Sequence, residues 1–183
     1  MNILGIVAEY NPFHNGHLYH LNSALSKTSA DYTICIMSGN FIQRGEPALF
    51  NKFVRTDMAV QNGIDLVVEL PTYYAVSTAE KFAYAGVKLL NECGTNYISF
   101  GCETDDISQL TSISNLISNE TYEYKNELKK QLNLGLSYPD ARSKVISKLL
   151  NISSHIINQP NNILAIEYLK ALSQINPTII PVP

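Results

Sequence analysis

Cysteine is scarce in this chain. It has three, Cys35, Cys93 and Cys102, and no Cys-x-x-Cys pair among them. That excludes a disulfide framework and a zinc site closed by paired thiolates. The chain begins directly with Asn2 and an apolar run, with no signal peptide, and with unpaired thiols this points to a reducing cytoplasm. No apolar run approaches membrane-spanning length. Charge is sparse too, 16% of residues, and nets −3 from 13 Lys+Arg against 16 Asp+Glu. The chain as a whole therefore lacks the excess of Lys and Arg from which nucleic-acid affinity usually comes. No Ser-His-Asp or Cys-His arrangement lies near its histidine-rich turn, and no repeat or low-complexity tract appears. What remains, 183 residues at 45% apolar, is one domain's worth of chain with a real core.

The informative stretch is Tyr10-Asn-Pro-Phe-His-Asn-Gly-His-Leu-Tyr-His-Leu21. Ile3-Leu-Gly-Ile-Val-Ala8 before it reads as a buried strand, and Leu18, Leu21, Ala24 and Leu25 after it recur at helical spacing. His14-Asn-Gly-His17 thus sits where a first strand turns into a first helix, the place where open parallel sheets bind ligands. Backbone N–H groups at a helix start attract anions, and Gly16 lets a phosphate or ring approach the backbone. Pro12 favours a turn. His14 and His17 offer ring N–H donors, neutral or charged, on one side of the first turn. Such a pair suits charge that grows on a leaving group. Two histidines three apart are also half of a zinc site, which the cysteines do not complete. For His20, further along, a structural and a binding role both stand.

The rest of the chain alternates strands with helices. Asp31–Met37, Asp65–Leu70, Asn96–Phe100 and Thr178–Val182 read as strands two to five, and Asn51–Asn62 and Thr78–Glu92 as helices. The expected fold is α/β: a Rossmann-like parallel five-stranded sheet flanked by helices, with a helical insertion at about 106–150 before the last helix and strand. In the segment after strand two, Ser38, Asn40, Gln43 and Arg44 are donors for an anionic or carbonyl group, and Arg44 offers a forked clamp. In the helix over 51–62, Phe53, Met58 and Ala59 are expected in the core, with Lys52 and Arg55 on a solvated face. Tyr73 and Tyr74 could line a small acyl pocket. Gly101 ends strand four and lets a base or ribose pack on backbone. Cys102 reads as a small space-filler. The basic portion around Lys125, Lys129, Lys130, Arg142, Lys144 and Lys148 is diluted by Glu120, Glu123 and Glu127 and reads as a solvated face. Asn161 is expected to cap the last helix, with Asn162 in its first turn.

Three long motifs stand in order: Glu9-Tyr-Asn-Pro-Phe-His-Asn-Gly-His17, Met37-Ser-Gly-Asn-Phe-Ile-Gln-Arg-Gly-Glu-Pro47 and Pro160-Asn-Asn-Ile-Leu-Ala-Ile-Glu-Tyr-Leu-Lys170. Together they resemble the bacterial tRNA(Met) cytidine acetate ligase family of the HxGH nucleotidyltransferase superfamily. The resemblance implies ATP as substrate, with Mg²⁺ on its phosphates. It implies activation of acetate as acetyl-adenylate and transfer of acetyl to N4 of the wobble cytidine 34 of elongator tRNA(Met). It places the nucleotide on the strand end Val7 and Ala8, and on the turn Glu9, Tyr10, Asn11, Pro12 and Phe13. The signature His14, Asn15, Gly16 and His17 follows, then Leu18, Tyr19 and His20, with Gly101 and Asn162 further on. His14 and His17 are the implied catalytic pair. Superfamily enzymes carry a second basic signature, and no Lys-Met-Ser-Lys-Ser-like segment occurs here. In the resembled family an Arg past the last strand serves instead, and this chain stops at Pro183. The expectation is a catalytic domain without the C-terminal part that helps hold tRNA. The same HxGH device belongs to cofactor-pathway adenylyltransferases, and it would persist in a non-catalytic nucleotide- or tRNA-binding module.

Overall fold

A computed structural model describes residues 1–104 and 106–183. The chain forms two compact units, one from Met1–Gly101 with Ala171–Pro183 and a second from Cys102–Lys170.

The first unit is built on β1 (Ile3–Ala8), β2 (Tyr32–Ser38), β3 (Leu66–Leu70), β4 (Tyr97–Ser99) and β5 (Ile180–Val182). They pair in the order β3-β2-β1-β4-β5, and every pairing is parallel. This is the expected α/β sheet. The central strands are apolar almost continuously because parallel strands are covered on both faces. Leu4, Cys35 and Ile36 have no exposed surface. The chain builds outward from β1 to β3 on one side and then resumes with β4 on the other. That reversal puts a topological switch at the carboxyl end of β1, where a crevice for ligands opens.

Helices α1 (Asn15–Thr28), α2 (Lys52–Gln61), α3 (Thr72–Ala75) and α4 (Ala79–Glu92) join these strands. Close packing of α4 on β1 needs a glycine on each side. A Cβ on Gly86 would lie 2.8 Å from Val7 Cγ2, and one on Gly5 2.7 Å from Leu90 Cδ2. In α2 the expected faces are exchanged. Ala59 is buried, but Phe53 is 72% exposed and Arg55 is fully buried. Arg55 and Ala59 are one turn apart and share a face, whereas Phe53 lies across the helix from them. Helical geometry therefore buries the arginine with the alanine.

The second unit contains α5 (Ile107–Asn119), α6 (Tyr122–Asn133), α7 (Tyr138–Leu150), α8 (Ser154–Asn158) and the start of α9 (Pro160–Ile175). Side chains of Asp106, Thr121, Ser137 and Ser153 accept first-turn N–H bonds and so fix where α5 to α8 begin. Several cations of the basic portion are tied to carboxylates: Lys125–Glu120 at 3.4 Å, Lys148–Glu127 at 3.0 Å and Arg142–Glu167 at 2.9 Å. The start of α9 differs from expectation. Asn161 lies inside the first turn, not at the cap. The cap is Glu103, whose Oε1 and Oε2 accept the N–H groups of Asn161 and Asn162 at 3.2 and 2.9 Å. Among the described residues no helix is long and apolar enough to cross a membrane.

Candidate functional site

The turn after β1 is held from several directions. Tyr10 has φ +46° and is buried, and the Asn11–Pro12 peptide is cis. The Tyr10 ring packs edge-on against Phe13 and against His17, at 4.8 Å between centroids in both cases. Burial, with the Cys35 thiol beside it, pushes the Tyr10 phenol above its usual range. Glu9 Oε1 accepts the Gln43 N–H at 2.6 Å, and Asn11 Oδ1 accepts the Leu49 N–H at 2.7 Å. Both bonds draw the segment after β2 onto this turn.

His14 is the N-cap of α1, extended at φ −143°, and His17 is the third residue of the helix. His14 Nδ1 accepts from the Gly16 N–H at 3.1 Å, and His17 Nδ1 accepts from the His14 N–H at 3.2 Å. This is a capping box in which ring nitrogens replace the usual side-chain oxygens. The two rings stack with centroids 3.6 Å apart. The box fixes the chemistry of the pair. An Nδ1 that accepts a hydrogen bond carries no proton, so in each neutral ring Nε2 bears the hydrogen and is the donor left for a ligand. Burial, helped by His14 and His20, pushes His17 down to about 4, so this ring is neutral at pH 7.

Two expectations change here. The amides of His14 and Gly16 are taken by imidazoles, so neither is a free donor at the helix start. The space above Gly16 is filled by the His14 ring, since a Cβ on Gly16 would lie 2.9 Å from His14 Cε1. Glycine is required there to seat the histidine.

The remaining candidates are distributed as follows. Val7 and Ala8 end β1. Asn15, Leu18 and Tyr19 lie on α1, with Tyr19 exposed. His20 is half-buried, its Nε2 sits 2.8 Å from Ser99 Oγ at the end of β4, and burial, then Lys27, lowers its pKa. His20 thus lies across the switch point from β1. Ser38 ends β2, and its Oγ is buried with no protein partner among the described residues. Asn40 Oδ1 accepts the Lys52 N–H at 2.9 Å. Arg44 is exposed at the tip of a short loop closed by a Phe41–Pro47 bridge. Gly101 has open space where a Cβ would be. Asn162 belongs to the second unit, where it is buried. Its Oδ1 accepts the Glu103 N–H at 2.8 Å, and its Nδ2 donates to the Ile156 carbonyl at 2.9 Å. Tyr73 is 66% exposed and Tyr74 38%.

Arg55, expected in solvent, is the positioning residue of the site. Its guanidinium donates to the carbonyls of Glu9, Ser38, Gly39 and Phe50. One fork therefore fastens the carboxyl ends of β1 and β2 and the start of α2. The usable signal was its one-turn spacing from Ala59.

A parallel α/β sheet whose central strand leads into a stacked pair of imidazoles belongs to the class of doubly wound proteins that bind ligands at the switch point. The chain belongs to the HIGH nucleotidyl transferase family, whose model, described as HIGH Nucleotidyl Transferase, matches residues 1–183. It is 49% identical over 193 residues to a tRNA(Met) cytidine acetate ligase of Halothermothrix orenii, covering 100% of this chain and 46% of that protein. To the ligase of that name from a Thermoanaerobacter species it is 51% identical over 184 residues, covering 99% and 46%. It superposes on crystalline Thermotoga maritima TmcAL bound with alpha-thio ATP with TM-score 0.93 and 39% identity, covering 99% of this chain and 45% of that one. The chain spans about half the length of the curated relatives it matches.

Proposed function

We propose that this chain is the ATP-binding, acetate-activating part of a tRNA(Met) cytidine acetate ligase. The observation that carries the proposal is the capped imidazole pair, with Nδ1 spent on the backbone and Nε2–H left as donor. The relatives' name and the alpha-thio ATP in the Thermotoga protein support it. ATP lies along the stretch from Val7 to His20 and on the open backbone of Gly101. Asn162, in the second unit, stays a nucleotide candidate on the resemblance alone. Ser38, Asn40 and Arg44 are candidates for a phosphate or for the acetate carboxylate.

A carboxylate oxygen of acetate attacks the α-phosphate in line. The bond to the β-phosphate oxygen breaks and pyrophosphate departs, leaving acetyl-adenylate. His14 and His17 donate Nε2–H to phosphate oxygens as their charge grows. The exocyclic amine of cytidine 34 in elongator tRNA(Met) then attacks the acetyl carbon, loses a proton and releases AMP. An anticodon loop presents that base unpaired. Mg²⁺ bound with the nucleotide would neutralise charge on its phosphates. Among the described residues the cysteines form no disulfide, which fits a cytoplasmic setting.

Exchange of labelled pyrophosphate into ATP tests the reading. Exchange should require acetate and should fall at least about 100-fold in His14→Ala or His17→Ala chains that keep native circular dichroism. Exchange without acetate, or undiminished in both variants, overturns it.

A further inference from the structure

Apart from Ser38, Asn40 and Arg44, the residues around the carboxyl ends of β2 and β3, beside the histidine turn, take no part in this chemistry. Phe53, at 72%, and Tyr73, at 66%, are among the exposed rings there, and Phe41, Phe50 and Tyr74 lie there too. These residues are tied into one rim. The Leu49 N–H bonds Asn11 of the histidine turn. The next carbonyl, that of Phe50, is held by Arg55. Lys52 reaches across to Glu69 at 2.5 Å, one residue before the end of β3, and α3 follows with Tyr73 and Tyr74 in edge contact at 5.1 Å.

Each outermost ring carries an amine. Lys52 Nζ stands 5.6 Å from the Phe53 centroid and Lys81 Nζ 5.8 Å from that of Tyr73. Exposed ring faces with adjacent ammonium groups are how proteins stack unpaired bases while meeting the backbone that carries them.

We propose that this aromatic rim is a stacking platform for unpaired bases of an RNA loop, with Phe53 and Tyr73 as its two main rings. The inference rests on the reading above, because the acceptor base must arrive at the same edge of the sheet as the imidazoles. It also accounts for RNA binding by a chain with net charge −3: affinity here comes from stacking, and phosphate contacts are few.

The test is fluorescence anisotropy of this chain with a labelled RNA hairpin bearing the anticodon loop of elongator tRNA(Met). The same stem extended as an uninterrupted duplex is the control. Phe53→Ala and Tyr73→Ala should each weaken hairpin binding about 5- to 100-fold. Phe53→Trp should restore it, and ATP affinity should not change in any of the three. The slope of log K against log salt should be shallower than about −1, since Lys52 is spent on Glu69 and few phosphates are met. The proposal is overturned by absent hairpin binding, by alanine variants that bind normally, or by equal affinity for the duplex. It is also overturned if the alanine variants dissociate a dimer of this chain, which would make the face a self-interface. Failure of the acetate chemistry is read separately, from exchange by the unsubstituted chain without RNA.

Discussion

His14 and His17 each spend Nδ1 on finishing the helix, and the proposed function gives their Nε2 atoms to the ligand. The His-x-Gly-His pattern marked these residues in the sequence. Its position after an apolar strand marked the switch point. That the rings would also cap the helix was not legible, because cap signatures are written for Ser, Thr, Asp and Asn. A cap built from imidazoles makes the fold sensitive to acid. A proton on His17 would have to reside on Nδ1, where the His14 N–H now donates. With a value near 4 when folded against an ordinary 6.5, the unfolded chain takes the proton first. The His17 contribution to stability is therefore complete above about pH 6.5 and is lost as pH falls toward 4. His20, lowered by its own burial, acts in the same direction. Thermal melts from neutral pH to pH 4.5 should show a falling midpoint. His17→Asn keeps an acceptor at the Nδ1 place but cannot titrate, so its midpoint should fall less. Parallel curves for the two proteins would remove His17 from this account.

At the scale of elements, what shapes the site is the hold that α2 keeps on the ends of β1 and β2. Strand positions were readable from apolar runs punctuated by Gly63, Pro71 and Gly94, and α2 itself from its period. Which face of α2 turns inward was misjudged when Phe53 was grouped with Met58 and Ala59, positions that do not share a stripe. A guanidinium buried among carbonyls also has no pattern in one sequence, since its partners at Glu9, Ser38, Gly39 and Phe50 come from three separate segments. Removing that fork strands buried acceptors. Arg55→Met should cost about 3–5 kcal/mol of stability in urea unfolding, the range for a buried charged group stripped of its role. Arg55→Lys should recover only part of this, because a single ammonium cannot span four carbonyls. ATP affinity should fall in both variants as the strand ends loosen. A lysine variant as stable as the parent would show that charge, not the fork, is what the site needs.

Over the whole molecule, the sheet is assembled from two distant stretches of chain, with the second unit between them. The α/β class was readable because it follows from alternation alone. The second unit's beginning was not, since Glu103 bonds the α9 amides 58 and 59 residues away, and no local composition marks such a contact. This connectivity has a consequence for β5. It is three residues long and pairs only with β4, through Tyr97–Ile180, Ile98–Pro181 and Ser99–Val182. A bond from Lys27 to the Pro183 carbonyl adds to its hold. While the second unit is folded, the chain leading to β5 is already compact. If that unit unfolds, a flexible loop of about 70 residues must be closed to dock β5, at an entropic cost of roughly 4 kcal/mol. Val145 on α7 has no exposed surface, and Val145→Asp would bury an unpaired carboxylate and melt the second unit. Native-state hydrogen exchange of that variant should then show β5 amides losing protection by a hundred-fold or more, roughly what a few kcal/mol implies. Ile6 in central β1 should keep most of its own. Lys144→Ala, on the exposed side of α7, should leave both strands unchanged. If β5 stays protected while circular dichroism records the loss of the α7 helix, the last strand is held by its own pairing, and the inserted unit contributes nothing to the sheet.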